Sequence, residues 1–395
     1  MRLLYLTHTI AWSGGGIFFT AYHQGRYLAK KGHHVTLACI SRKSRFRISE
    51  SISEGVKIVE FPDLLWGRAR SGWDIWDSLL RVARFIGNDF DIVHGYESRP
   101  VVSLPGLLLS KTGHRPLFFT WADWFGRGGK GQGRGHIMGK LTAPIETFFE
   151  NNIYPKADYC IAMGEPLAER ARSLGIPKEK IGVLLHGCDP ERMRPMPRDE
   201  ARRSLPGLSE ETIALGYLGV LRPENAELLF QSFRRIASRM NRPCRLILIG
   251  NTKLNWRPYV PYAYSNEIQE TGWLSYKEIN NYLSGCDLLL LPLRKERWTD
   301  NVWPSKINDY LSVGRPIVST KIKVLEPIFS KYNIGKLCAD NPVEFADSCL
   351  SLLHDPTLQK TMSVNARFLA EGELSWKTIV SVLEQHYLRI LRNRS

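Results

Sequence analysis

The most constraining feature of this sequence is a repeated alternation of short apolar runs with amphipathic segments. Runs such as "RLLYLT", "VKIVEF" and "IGVLLHG" have the length and composition of buried strands, and helical spacing of apolar residues follows in segments such as 20–31 and 78–86. Strand–helix–strand units of this kind build parallel sheets that helices cover on both faces. The pattern therefore predicts an α/β fold with Rossmann-like, doubly wound sheets.

The alternation stops once and then begins again. Residues 191–211 are rich in proline and charge, as linkers often are, and the run "IALGYLG" follows them. A chain of 395 residues that is 43% apolar can bury two cores. We predict domains at 1–190 and 212–375, a linker between them, and a C-terminal amphipathic helix at 376–395 that packs back on the first domain. Two tandem domains of this type also predict a ligand-binding cleft between them.

Charge and cysteine usage narrow the classes of partner only partly. A formal charge of +15 attracts nucleic acid, anionic lipid surfaces and phosphorylated small molecules alike. The seven cysteines are scattered without a C-x-x-C pair, which disfavours a zinc site or a disulfide framework and favours the cytoplasm. No apolar run reaches the length that spans a bilayer, so we expect any membrane contact to be peripheral, at the inner face.

Three basic segments of the first half are interleaved with tryptophan and phenylalanine: residues 41–47, 66–73 and 126–134. This combination suits an anionic bilayer surface, where cations meet headgroups and aromatic rings lie at the boundary, or a polyanionic glycan. A nucleic-acid-binding protein is a weaker alternative, because no nucleic-acid-binding motif accompanies the charge, and we expect no nucleic acid partner. A solvated basic surface without a partner is the remaining alternative.

A run of three glycines, Gly14, Gly15 and Gly16, follows the first predicted strand and precedes the first predicted helix. Glycine lets a backbone approach a ligand closely, and free N–H groups at a helix start suit a phosphate or another anion. Phe19 stands where the dinucleotide pattern G-x-G-x-x-G requires its last glycine, which disfavours a nicotinamide cofactor. A flexible turn is the alternative interpretation.

A second candidate site begins at residues 304–320, "PSKINDYLSVGRPIVST", which predict a short helix leading into a buried strand. Ser305 can cap this helix, and the helix start together with Lys306 favours a diphosphate. Arg294 and Arg297 precede the helix and add positive charge. An ordinary surface helix with a solvated lysine is the alternative.

Four stretches, taken in order, resemble the GT-B glycosyltransferases of the family-4 type, also called glycosyltransferase group 1. They are "SGGGIFFTAYHQGRYLAKKGHHVTL", "DFDIVHGY", "YPKADYCIAMGEPLAERARSLGIPKEKIGVLLHGCDPERMRP" and "PSKINDYLSVGRPIVST". The resemblance spans nearly the whole chain. It implies transfer of a hexose-like sugar from a nucleoside diphosphate sugar, held by the C-terminal domain, to a lipid-linked or polysaccharide acceptor, held by the N-terminal one. Retention of configuration, with neither metal nor cofactor, is part of that expectation.

The resemblance also assigns donor-binding residues. In the family, the donor helix carries two glutamates eight positions apart, one near the sugar and one near the ribose. Asn301 and Asp309 occupy these places here, so Asn301 is expected to contact sugar hydroxyls and Asp309 ribose hydroxyls. Val220 and Asn225 replace the arginine and lysine that bind the diphosphate in the family. We therefore expect Lys306 and at least one of Arg222, Arg294 and Arg297 to take that role.

The acceptor half carries three more candidates. Where many family members have a histidine, the nearest ionisable group here is Asp123, which can orient the acceptor hydroxyl, accept its proton, or cap a turn. His94 and Glu97 lie at the carboxyl end of a predicted strand and are expected to face the acceptor, although a buried histidine with protein partners is the commoner arrangement.

The remaining motif is "DFD", residues 89–91, which resembles a metal-binding D-x-D sequence. It stands at the start of a strand, so we predict a structural role and no metal site. The departures from the family at Val220, Asn225 and Asp123 leave one further alternative, a catalytically inactive relative that binds a sugar nucleotide or a glycan.

Overall fold

The computed structural model describes residues 1–12, 16–129, 137–203 and 205–394. Its strands are β1 (Arg2–Ile10), β2 (His34–Ile40), β3 (Ser49–Ser53), β4 (Val56–Phe61), β5 (Ile92–Tyr96), β6 (Leu117–Trp121), β7 (Tyr159–Ala162), β8 (Ile181–Val183), β9 (Ile213–Leu218), β10 (Cys244–Ile249), β11 (Ile268–Glu270), β12 (Leu288–Leu291), β13 (Ile317–Thr320) and β14 (Gly335–Cys338). Its helices are α1 (Gly16–Lys30), α2 (Ile75–Phe85), α3 (Pro100–Thr112), α4 (Ile137–Ile153), α5 (Glu165–Ser173), α6 (Arg198–Arg203), α7 (Pro223–Ala237), α8 (Tyr276–Gly285), α9 (Lys306–Ser312), α10 (Glu326–Tyr332), α11 (Pro342–Leu353), α12 (Pro356–Glu371) and α13 (Trp376–Arg392).

The chain divides into two compact units. The first comprises residues 1–186, 301–303 and 376–395, and the second comprises 187–300 and 304–375. Each unit is a predominantly parallel sheet with helices in its crossovers, which confirms the predicted α/β class with two doubly wound sheets. Within the described residues, no helix combines the length and apolarity that crossing a bilayer requires.

The sheet of the first unit has the order β3-β4-β2-β1-β5-β6-β7-β8. Every neighbouring pair is parallel except β3 and β4, which are antiparallel. Sequence patterning does not predict β3, because the polar stretch "SESIS" forms an exposed edge strand. The first half of the central strand β1 is apolar, and Leu3 to Leu6 are fully buried, since helices cover both faces of the sheet.

The C-terminal helix α13 is part of the first unit. The Tyr387 hydroxyl lies 3.0 Å from the hydroxyl of Tyr5 on β1. Near the other end of the helix, the ring of Trp376 stacks on His23 of α1, with ring centroids 5.3 Å apart. These contacts tie the last helix to the first strand and the first helix of the chain.

The second unit has six strands among its described residues, all parallel, in the order β11-β10-β9-β12-β13-β14. The chain runs outward from β9 to β11 and then returns to β12 on the other side of β9. In folds of this type the carboxyl ends of the two strands at such a reversal form the ligand-binding crevice. We call this place the switch point.

The segment 191–211, which we predict to be a linker, lies inside the second unit and contains α6. Arg202 of α6 is buried, donates to the carbonyls of Gly285 and Thr212 at 2.8 and 2.7 Å, and pairs with Asp287 at 2.8 Å. Its guanidinium fixes the segment to α8 and to the starts of β9 and β12. One charged residue of the segment is therefore a buried ion-pair anchor, while most of the others are exposed, a difference that composition alone does not show.

Candidate functional site

Helix α9 is fixed across the switch point by one hydroxyl group. Tyr310, which is fully buried, donates from its hydroxyl to the carbonyl of Leu290 on β12 at 3.1 Å. The same oxygen accepts the N–H of Leu218 on β9 at 2.9 Å. Because both strands of the reversal bond to the same oxygen, the first turn of α9 has a defined position at the carboxyl ends of β9 and β12.

Lys306, the first residue of α9, lies directly against the end of β9. Its Nζ donates to the Tyr217 hydroxyl at 2.8 Å and lies 3.9 Å from the centre of the same ring. The Tyr217 hydroxyl in turn donates to the carbonyl of Val220 at 2.8 Å. Burial, with a smaller contribution from the charge of Arg222, lowers the pKa of Lys306 to about 7. A bound anion would compensate this desolvated amine.

Arg222 provides a second cation beside Lys306. It is the residue before α7, and its guanidinium stacks 4.6 Å from the ring centre of Trp298 and lies 3.7 Å from the Glu224 carboxylate. Contact with the face of an aromatic ring positions a guanidinium while leaving the N–H groups at the guanidinium edge available. The two cations therefore meet where the loops after β9 and β12 come together.

Asp309 is an acidic residue of α9, and burial disfavours its charged form as it does that of Lys306. Its side chain is half-buried, and no residue that the structure describes donates a hydrogen bond to its carboxylate. Burial, and to a smaller extent the charge of Asp189, raises its pKa to about 7. A half-buried carboxylate with a raised pKa, on the helix at the switch point, is a candidate for a ligand contact.

Two other predicted cations have different surroundings. The guanidinium of Arg294 pairs with Asp340 at 3.0 Å, and its backbone N–H donates to the Asn225 side chain at 2.9 Å. Arg294 thus holds the loop after β12 to α7, and its contact with a diphosphate stays a prediction. Arg297 is exposed in the same loop. Asn301 ends a short 3₁₀ turn, is half-buried, and belongs to the first unit.

Ser305 does not cap α9, which corrects our expectation. Its backbone has helical angles, φ −52° and ψ −29°, and its side chain makes no capping hydrogen bond. An N-cap residue needs extended backbone angles so that its side chain can turn back towards the helix N–H groups. The Ser305 side chain is instead exposed.

In the first unit, Glu97 holds the backbone of Asp123. Its Oε1 accepts the N–H groups of Ala122 and Asp123 at 2.9 and 2.8 Å, and its Oε2 accepts the Tyr154 hydroxyl at 3.0 Å. Burial, and then the charge of Asp123, raises the Glu97 pKa to about 8. Glu97 also has φ +70°, a strained conformation for a residue other than glycine. It is therefore a buried support for the half-buried Asp123, and the expectation that Glu97 itself faces an acceptor is wrong.

His94 is a core residue, so the expectation that it faces an acceptor is also wrong. One ring nitrogen bonds to the Tyr387 hydroxyl and the other to the Thr120 hydroxyl, at 2.8 Å for the latter. Burial lowers the His94 pKa to about 3. Helix α13 supplies Tyr387, and this long-range partner is invisible in the sequence around His94.

The glycine run is described only at Gly16, the first residue of α1, since Gly14 and Gly15 lie outside the described residues. The Gly16 carbonyl accepts the Thr20 hydroxyl at 2.8 Å, and the same hydroxyl lies 2.8 Å from Nδ1 of His186. Of the "DFD" motif, Asp91 accepts the backbone N–H of Arg2 at 2.6 Å and Asp89 pairs with its guanidinium. Both carboxylates thus join the start of β1 to the start of β5.

Sequence reasoning missed Tyr217, Trp298 and Tyr310 as site residues. Tyr217 and Tyr310 stand in apolar patterns that read as core, and only the folded backbone brings their hydroxyls to polar partners. Trp298 follows the exposed Arg297 in a charged loop, where its contact with Arg222 depends on a turn that the sequence does not specify.

Comparison with known proteins matches both halves of the chain. A family described as Glycosyltransferase Family 4 matches residues 14–192, and a family described as Glycosyl transferases group 1 matches residues 212–355. A curated relative, the putative teichuronic acid biosynthesis glycosyltransferase TuaH of Bacillus subtilis (strain 168), is 22% identical over 224 residues. These residues make up 56% of this chain and 55% of TuaH, so the match spans about half the length of that relative.

Two solved structures illustrate the likeness in fold. Sucrose-phosphate synthase from Thermosynechococcus elongatus has a TM-score of 0.79 and 14% sequence identity, with 99% of each chain covered. Anabaena Alr3699/HepE in complex with UDP and glucose has a TM-score of 0.72 and 13% identity, with 98% of this chain and 100% of the other covered. At these identities the comparison establishes the fold.

Proposed function

The chain belongs to the glycosyltransferases that join a Family 4 domain to a group 1 domain, and from this premise we propose that it transfers a sugar from a nucleoside diphosphate sugar to an acceptor hydroxyl. The observation that carries the proposal is the half-buried Asp309 carboxylate on the same helix as Lys306, which Arg222 approaches at the switch point. A nucleotide sugar offers hydroxyl donors to the carboxylate and two phosphates to the cations.

In this proposal each group has a separate role. Asp309 accepts hydrogen bonds from ribose hydroxyls, while the positive charges of Lys306 and Arg222 bind the diphosphate. Asn301 contacts hydroxyls of a hexose-like sugar, and Asp123, held by Glu97, orients the acceptor hydroxyl. The bond from the anomeric carbon to the phosphate oxygen breaks, and the acceptor oxygen bonds to that carbon with retention. The acceptor proton passes to the leaving diphosphate, so the step requires no protein base or metal.

The partners that we propose are a nucleoside diphosphate sugar and a lipid-linked or polysaccharide acceptor, in the cytoplasm. UDP is the first nucleotide to test, because Anabaena Alr3699/HepE, whose fold is similar, is described in complex with UDP and glucose. A teichuronic acid biosynthesis role is named for TuaH, and a cell-envelope polysaccharide is accordingly the first acceptor class to test.

Calorimetric titration of the full chain with UDP, other nucleoside diphosphates and the bare nucleosides tests the donor site. Lys306→Met and Arg222→Gln each remove a positive charge that attracts a phosphate, so we expect diphosphate affinity to fall about 10- to 100-fold. Affinity for the nucleoside should stay the same. Lys360→Met is the matched control, because Lys360 is an exposed lysine of the same unit. Equal losses for nucleoside and diphosphate, or none, would contradict the assignment.

A second candidate is a catalytically inactive relative that binds the sugar nucleotide without transferring the sugar. It is favoured by the engagement of Asn225 with the Arg294 backbone and of Arg294 with Asp340, because both are then occupied within the protein. Donor hydrolysis separates the two candidates. Slow release of free sugar from a bound nucleotide sugar supports the transferase, whereas tight binding with an intact donor, at every acceptor tried, supports the inactive relative.

A further inference from the structure

Helix α2 packs Leu80 and Phe85 on the core but departs from the usual arrangement of a surface helix elsewhere. It buries a charged pair, Asp77 and Arg81, whose carboxylate and guanidinium are 2.7 Å apart and fully inaccessible to solvent. It exposes three apolar side chains instead, Ile75, Trp76 and Leu79. Surface helices normally turn their apolar stripe to the core and their charges to water. An exposed apolar stripe backed by a buried ion pair indicates that something else covers the stripe.

The loops next to this helix extend the apolar surface. Phe46, in the loop after β2, is 83% exposed, and Trp66, in the loop after β4, is 75% exposed. Arg45 joins the two loops, since its guanidinium donates to the Leu65 carbonyl at 2.9 Å and lies 5.1 Å from the centre of the Trp66 ring. The second loop is joined to α2 by Asp74, whose carboxylate accepts the N–H groups of Leu64 and Trp76.

In these segments the acidic side chains are buried, whereas basic side chains of the loop after β2 are exposed. The carboxylates of segments 41–48 and 62–86 are Asp63, Asp74 and Asp77, and all three are buried. The exposed basic side chains of the loop after β2 are Arg42, Lys43 and Arg47. A nearby carboxylate on β4, Glu60, is half-buried and accepts the N–H of Arg42 at 3.2 Å. The outward surface therefore combines cations with aromatic and aliphatic groups.

We propose that this surface docks on an anionic lipid bilayer. We call it the α2 face, and it consists of Arg42, Lys43, Phe46, Arg47, Trp66, Ile75, Trp76 and Leu79. Its cations complement anionic headgroups, and its tryptophans and aliphatic groups suit the boundary between headgroups and acyl chains. A soluble polyanionic glycan would be matched by the cations alone and leaves the exposed apolar side chains of α2 unexplained.

The position of the α2 face also bears on the acceptor. Strands β2, β4, β1, β5 and β6 are connected by parallel pairings, so their carboxyl ends share one edge of the sheet. The loops of the α2 face follow β2 and β4, while Gly16 and Asp123 follow β1 and β6 at the same edge. An acceptor anchored in the docked bilayer meets this edge. The acceptor is therefore lipid-linked, an assignment that rests on the proposed function, whereas the docking itself does not.

Flotation of the full chain with vesicles tests the docking, using phosphatidylglycerol and phosphatidylcholine in equal parts and phosphatidylcholine alone. We expect flotation with the anionic vesicles at low salt and its loss as salt rises. The triple variant Arg42→Gln, Lys43→Gln, Arg47→Gln should partition about 100-fold less strongly, because each cation near such a surface contributes several-fold. The control Lys277→Gln, Lys323→Gln, Lys360→Gln removes equal charge from exposed positions of the second unit and should float like the unchanged chain.

A second variant examines the apolar part of the α2 face. Trp66→Gln, Trp76→Gln, Leu79→Gln replaces exposed side chains only, so the thermal midpoint should be retained while partitioning falls. Its control replaces exposed apolar residues of the second unit, Tyr262→Gln, Val364→Gln, Phe368→Gln, and should leave flotation unchanged. Titration with UDP should give the same affinity in all four variants.

Three outcomes overturn the docking proposal. They are no flotation with anionic vesicles at low salt, equal losses in the α2-face variants and their controls, and salt-sensitive binding of dextran sulfate without vesicle binding. The test is separate from that of the donor site. A chain that binds UDP but does not float contradicts the docking alone, and a chain that floats but binds no nucleotide contradicts the proposed function alone.

Discussion

Asp309 and Lys306 lie one turn apart on α9, and the half-buried surroundings of both disfavour their charged forms. Each arrangement costs stability in the unliganded protein. Groups that a fold holds in an unfavourable ionisation state are common at sites whose ligands supply the missing partner. Substituting either residue should therefore raise the stability of the unliganded protein and weaken ligand binding, and both changes can be measured.

We expect Asp309→Asn to stabilise the unliganded protein at pH 8 and to weaken nucleotide binding. The raised pKa of Asp309, about 7, lies above the ordinary carboxyl value, so stability falls as pH rises from about 4 to about 7. Asparagine removes this loss. The gain should therefore grow across that range, level off above pH 7, and reach about 1–2 kcal/mol, allowing for partial exposure. Urea unfolding at several pH values measures it.

The exposed Asp199 provides the control for this change, because Asp199→Asn should give no comparable pH-dependent gain. A midpoint for Asp309→Asn that is unchanged at pH 8 would mean that the carboxylate is fully solvated. Unchanged nucleotide affinity would move the ribose contact to another residue.

The lowered pKa of Lys306 predicts that the affinity for a diphosphate depends on pH. The lowered pKa of about 7 means that the free site loses its charge as pH rises above neutrality, and a bound diphosphate raises that pKa again. In Asp309→Asn, which removes the other group that titrates near pH 7, affinity should be steady below pH 7 and fall above it, with proton uptake on binding. Calorimetry in buffers of different ionisation enthalpy measures the uptake, which Lys306→Met should abolish. Uptake that survives this substitution would assign the proton to another group.

At the scale of elements, α9 is fixed by Tyr310 rather than by its own cap. Tyr310→Phe leaves the Leu218 N–H and the Leu290 carbonyl without their partner inside the sheet, so we expect a loss of about 1–3 kcal/mol in the free energy of unfolding. Nucleotide affinity should fall too, because α9 positions Asp309 and Lys306. Tyr262→Phe, at a side chain that is 94% exposed, is the matched control. A Tyr310→Phe protein of unchanged stability would show that packing alone fixes the helix.

These elements show which parts of the fold the sequence predicts and which it does not. The strands β1, β9 and β12 are predictable because burial on both faces gives apolar runs, and the position of α9 follows from its apolar spacing. The failure of Ser305 to cap the helix depends on backbone angles that the preceding loop imposes. The burial of His94 depends on Tyr387, nearly three hundred residues later in the chain. Such long-range partners leave no local signal in composition or spacing.

At the scale of the whole molecule, the first unit depends on the end of the chain. Trp376, Ile379, Val380, Leu383 and Tyr387 are the buried side chains of α13. Five such side chains contribute about 10 kcal/mol, which is comparable to the stability of an entire domain. We therefore expect a chain ending at residue 375 to lose protection from hydrogen exchange throughout the first unit.

The second unit serves as the internal control in this truncation. Helix α13 belongs to the first unit, and strands β9 to β14 pair with one another in their own sheet. We therefore expect the second unit to keep its protection from hydrogen exchange and its affinity for UDP. A truncated chain whose first unit stays protected would show that α13 is dispensable. Loss of protection in both units would mean that they unfold as one cooperative body.

The contact between Tyr5 and Tyr387 has a consequence for the order of folding. The two residues are 382 positions apart, and closing so long a loop costs conformational entropy before the contact is gained. Contacts of large sequence separation slow folding, so we expect the docking of α13 to be a late step in the formation of the first unit. Until α13 docks, the surface around Tyr5 and His94 is open to solvent and to chaperones.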